Sequence, residues 1–198
     1  MALDALNTKI NALRDEATAV RRDFSTEINA LNANTSLSPS GKREYLDKIE
    51  PGMRAKLANL DADETRALEH ARETLQRTVM GSAAEGDVIA FRDAHDRAGR
   101  IDSEREARDE MTRALDVGDA ALAKAILHAS IGKGWSSAVD RYTVKHPDMK
   151  TTITDLIAVH RWTDSTEVAI ERTLAYQLPD ARLTSGSGHG RVAAGRTR

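Results

Sequence analysis

The chain has 198 residues, a formal net charge of −2, 30% charged and 4% aromatic side chains, and no cysteine. The missing cysteine excludes disulfides, thiolate metal sites and a thiol nucleophile. Leu, Ile, Val and Phe together number 38 of 198, near the ~20% below which a packed core becomes hard to build. Long Ala-rich helices that bury a narrow seam fit this composition better than a globule with a thick interior. Disorder is a poor account of most of the chain, because the apolar residues are periodic and the net charge is small.

The N-terminal segment interrupts its apolar residues with charges every few positions. No run approaches the ~18 apolar residues of a membrane span, so neither a signal peptide nor an anchor is expected there, and no membrane partner. From Leu3 the apolar positions are Leu6, Ile10, Leu13, Ala17, Val20, Phe24, Ile28 and Leu31. Their spacing of three and four residues is a heptad seam with one stutter at Phe24, and it predicts a helix over 2–32.

After a loop at 34–40, Ser38 as N-cap and Pro39 at the first helical position open a short linking helix near 39–50. Pro51-Gly52 is expected to end it, because proline inside a helix removes a hydrogen bond. A second long helix over about 51–80 then carries Met53, Leu57, Leu60, Leu68, Ala71, Leu75 and Val79. Matched lengths argue for an antiparallel hairpin over 1–80, although Glu64 falls where an apolar residue is due. A parallel coiled coil between copies is the rival arrangement.

The small, flexible residues at 81–86 suggest a C-cap followed by a hinge. Short helices follow over 88–98, 104–116, 120–131, 135–145, 149–161 and 166–177. Their punctuation is legible: Asp87, the Ser103/Glu106 capping box, Gly118-Asp119, the glycines at 132–134, Pro147, and the caps at 163–165. They make a small helical domain over 87–180. The tail, 181–198, has Arg182, Arg191, Arg196 and Arg198, His189 and no acid, so it carries +4 against a chain total of −2 and leaves −6 on the rest. It reads as a flexible or docked basic end.

Little in the sequence signals chemistry. The six histidines show no H-x-x-x-H or H-E-x-x-H spacing. Asp93, His95 and Asp96 read as solvated charge on one helix face. The Gly-Lys-Gly at 132–134 follows no strand and has no phosphate-loop frame, so it reads as a helix–helix turn. No G-x-S-x-G elbow exists. No catalytic residue, metal or cofactor is therefore expected, and the chain is read as not an enzyme. Outside the tail, Arg14, Arg21 and Arg22 alternate with Asp15, Glu16 and Asp23, the mixed pattern of a solvated helix face and not of a nucleic-acid surface. Trp135 and Trp162 read first as anchors of the small domain's core. With Arg161 beside Trp162 they are also candidate partner contacts, together with the tail arginines.

Within 118–148, Trp135, Ala138 and Tyr142 take the large, small and aromatic positions of a second helix, so the segment resembles a tetratricopeptide-like helix pair. A second run, Trp162, Tyr176 and Pro179-Asp180, has a different internal length. The Ala/Arg/Asp-rich composition, the heptad N-terminus and the Gly-Asp…Gly-Trp…Pro segment also resemble small helical virion-assembly proteins of tailed phages of actinobacteria. That resemblance implies a head or neck structural role and carries over no site residue.

The expectation is thus an all-α, non-enzymatic structural or assembly protein, in the virion or in the bacterial cytoplasm during assembly. Its assembly seam would be Leu3, Leu6, Ile10, Leu13, Ala17, Val20, Phe24, Ile28, Leu31, Leu57, Leu60, Leu68 and Leu75. Its partners would be other protein subunits, with the tail against an acidic surface or nucleic acid. The alternative is a cytoplasmic nucleic-acid-associated regulator acting through that tail.

Overall fold

The computed structural model describes residues 2–81 and 88–183, and among them every regular element is helical. In chain order these are α1 (Ala2–Ala33), α2 (Pro39–Met80), α3 (Val88–Gly99), α4 (Glu104–Val117), α5 (Ala120–Lys133), α6 (Ser136–Lys145), a 3-10 turn (Pro147–Met149), α7 (Lys150–Asp164) and α8 (Thr166–Tyr176). The all-α class and the long N-terminal helices are as the periodicity predicts.

Side-chain pairs between α1 and α2 fix the direction of the hairpin. Glu16 Oε1 stands 3.7 Å from Lys56 Nζ, Glu27 Oε2 accepts from Tyr45 Oη at 3.1 Å, and Asn32 O accepts from Lys42 Nζ at 3.0 Å. As the α1 partner advances from 16 to 32, the α2 partner retreats from 56 to 42, which only antiparallel helices allow. The turn is closed locally: Asn34 Oδ1 accepts from Ser36 N at 2.8 Å, and Ser38 Oγ caps α2 by accepting from Gly41 N at 3.1 Å.

One expected break is absent. α2 runs unbroken through Pro51, with no separate helix at 39–50. A proline inside a helix forfeits the bond to the carbonyl four residues back, at a cost of ~3 kcal/mol. Pro51 and Gly52 are on the exposed side, while Leu46 before them and Leu57 and Leu60 after them belong to one buried cluster. Burying both segments against the same surface keeps them in one helix despite the lost bond. Glu64, the apparent interruption of the seam, is only 1% exposed, and it has a partner within the chain.

The described residues pack as two compact units, drawn from Met1–Ile10 with Glu64–Arg172 and from Asn11–Asp63 with Thr173–Arg198. This division cuts through the long helices instead of following the boundary expected at 81–86. Its physical reason is the thin core. The short helices contribute many alanines, such as Ala94, Ala98, Ala107, Ala114, Ala123 and Ala138, and their cluster is completed by Leu6 and Ile10 of α1 and Leu68, Leu75 and Val79 of α2. Residues 82–87, most of the expected hinge, lie outside the described residues. Gly81 ends α2 in the left-handed region, φ +78°, with its N–H on Arg77 O at 2.9 Å.

In the other unit, Ala17, Val20, Phe24, Ile28 and Leu31 of α1 meet Leu46, Leu57 and Leu60 of α2, with Tyr176 and Leu178 closing the cluster. The first residues of the expected basic tail are held here too: Asn32 Nδ2 donates to Arg182 O at 3.0 Å. Arg191, Arg196 and Arg198 lie outside the described residues.

The caps of the small helices follow the sequence signals. Ser103 Oγ accepts from Glu106 N at 3.3 Å, and Glu106 Oε2 reaches back to Asp102 N at 3.2 Å. Asp119 Oδ1 accepts from Leu122 N at 3.0 Å. Gly118 and Gly134 end α4 and α5 at φ +76° and +71°, where a Cβ would be strained.

Phe24, 1% exposed, sits at the stutter of the seam. Phe24→Ala is expected to lower unfolding stability by ~3–5 kcal/mol through lost transfer energy and the cavity left behind. Urea denaturation followed by circular dichroism measures it.

Candidate functional site

The thirteen seam residues lie where the chain covers them. Eleven are buried, and Leu3 and Leu13 are partly buried against the two clusters. The seam is therefore the hydrophobic core, covered for most of its length by the chain's own helices.

The tryptophans take positions at the edge of that core. Trp135 packs against it as the residue before α6 and has no side-chain capping group of its own. Its backbone N–H donates to Ser130 O at 2.9 Å, and Lys133 Nζ lies 4.5 Å from its ring centroid while donating to Ile101 O at 2.6 Å. The same ammonium thus stacks on the indole and satisfies a loop carbonyl. The cap that Trp135 lacks arrives from α4. Glu104 Oε1 accepts from Ser137 N and Ser137 Oγ, both at 2.8 Å, and from Ser136 Oγ at 3.3 Å. These bonds from Ser137 and Ser136 hold the Glu104 carboxyl below its ordinary range. Trp162 packs partly buried on the same core while Arg161 beside it is exposed.

A second constellation was not legible in the sequence. His95 of α3 and His128 of α5 stand with ring centroids 5.6 Å apart. His160 Nδ1 of α7 lies 2.8 Å from Asp164 Oδ2, and Arg72 of α2 lies 3.7 Å from the other oxygen of that carboxylate. His128 forms the wall between two cavities, one of about 360 Å³ shared with Gln76, Arg77, His95 and Lys124, and one of about 60 Å³ shared with Arg72, Gln76 and His160. The i, i+4 spacing of His160 and Asp164 is visible in the sequence. The approach of α2, α3 and α5 to that pair is not, because each residue sits on a different helix.

Burial holds the His128 imidazole below its ordinary range, and His95, Arg72 and His160 push the same way by adding positive charge nearby. The cluster therefore favours an uncharged His128. The His160–Asp164 pair has the i, i+4 contact of an imidazole and a carboxylate that holds it in place, and Arg72, Gln76 and His128 line the smaller cavity with it. Among the described residues no group of three potential ligands is arranged to hold a metal ion. Also among them, no helix is long and apolar enough to cross a membrane.

No protein-family model, curated protein or solved structure matches the chain.

The depressed His128 has a stability consequence with a definite sign. Above the ordinary value of 6.5, folded and unfolded chains are both neutral at this residue. As pH falls below it, the unfolded chain takes up the proton first, so folding stability declines until the folded imidazole protonates as well. Melting temperatures measured from pH 7.5 to 5 should show a fall that His128→Gln makes shallower. An identical profile for that variant would remove His128 as its source.

Proposed function

We propose that the chain is a non-enzymatic structural or assembly protein that works by contact with other protein subunits, as a head or head–tail component of a phage virion. One observation carries the assembly reading. On α8, Ile170 and Leu174, one turn apart, are 56% and 57% exposed, in a chain where Leu, Ile, Val and Phe number only 38 of 198 residues. Adjacent exposed apolar side chains of this kind mark contact surfaces. Most of the seam is spent on the fold, so subunit contacts need apolar groups beyond it, and α8 offers some. The virion assignment is drawn from the resemblance of the heptad N-terminus and 118–148 to phage assembly proteins.

Sedimentation velocity of the full chain over a wide concentration range, alone and with the structural proteins of a candidate virion, tests the reading. Species heavier than the 21.6 kDa chain are expected. A strict monomer that enters no assembly would overturn it.

A second reading rests on the acid-free tail with its four arginines. It expects duplex DNA binding that weakens steeply with added salt and disappears on deletion of 184–198. Gel-shift titration at low salt measures this, and no binding there excludes it.

A further inference from the structure

We propose that the surface receiving α8 is a groove on a second copy of this chain, a cationic, apolar-floored cleft where the N-terminal turns of α1 lie against α2. The inference rests on the assembly reading and names its contact.

The groove encloses about 400 Å³. Its room comes from small side chains: Ala67 and Ala71 stand one turn apart on α2, and neither fills the space beside Leu6 and Leu75, which form a buried floor. The charged residues on its rim, Lys9 and Arg66, are of one sign. Lys9, Arg66 and His70 are all exposed on it, and no carboxylate lines the cavity. A ligand for such a cleft carries branched apolar side chains flanked by acids.

α8 carries that pattern. Glu167, Ile170, Glu171 and Leu174 fall at i, i+3, i+4 and i+7, so they share one helix face, and all four are exposed. Ile170 and Leu174 match the floor in chemistry, and Glu167 and Glu171 match the rim in charge. An amphipathic helix laid in a groove with anchors at this spacing is a recurring recognition mode. The two surfaces are different patches of one chain, so each copy is both donor and acceptor. Association then runs reciprocally in a pair or serially around a ring.

The test uses the full chain in sedimentation velocity, with circular dichroism to verify the fold of each variant. Ile170→Asp with Leu174→Asp changes only exposed positions and should weaken self-association at least ~100-fold, as loss of central apolar anchors does. Lys9→Glu and Glu171→Lys should each weaken it up to about tenfold. Combined in one chain they restore an opposite-charge pair, and association should recover. Self-association that survives the α8 variant, or a charge-swapped chain that stays as weak as its single variants, overturns this contact and leaves the assembly reading standing. A wild-type chain that never self-associates also overturns it. The assembly reading then depends separately on whether the chain joins assemblies of other proteins.

Discussion

A 32-residue amphipathic helix cannot leave its apolar stripe in water, and everything else in this chain follows from how α1 covers its own. The cover is α2, brought back antiparallel by a short turn. Because the seam is narrow, each stretch of the hairpin needs a third layer. Tyr176 and Leu178 supply it in one unit, and the Ala-rich short helices supply it in the other. The same scarcity explains why Pro51 is tolerated. Separating the helix there would expose leucines that the chain has no means of replacing.

A thin core leaves helix ends close to the surface but away from local partners, and long charged side chains reach across to them. Lys42 donates to Asn32 O near the end of α1, Lys124 to Met80 O at the end of α2, and Lys133 to Ile101 O just beyond α3. Glu104 does the converse at the start of α6. In each case the sign is the one the helix dipole favours: cations at carbonyl ends, a carboxylate at an amide end. These bonds tie elements far apart in sequence without the large apolar residues the chain lacks.

The same economy bears on function. With the heptad residues spent internally, large apolar side chains left in solvent are exceptions, and those on α8 form a face with acids beside them. The histidine cluster is the other feature the folded chain creates. Burial, with His95, Arg72 and His160 nearby, disfavours a proton on His128, so the cluster acts on stability as pH falls.

The sequence by itself determined the helices. Periodicity placed α1, and capping residues such as Ser38, Ser103, Asp119 and the glycines at 81, 118 and 134 placed most boundaries, because caps are local hydrogen bonds between residues a few positions apart. Only the tertiary structure decided that α2 continues through Pro51 and that the compact units cut across the long helices. It also decided that Glu104 caps α6 and that His95, His128 and His160 converge. Each of these depends on burial or on a bond between residues tens of positions apart, and spacing along the chain carries no record of such distances.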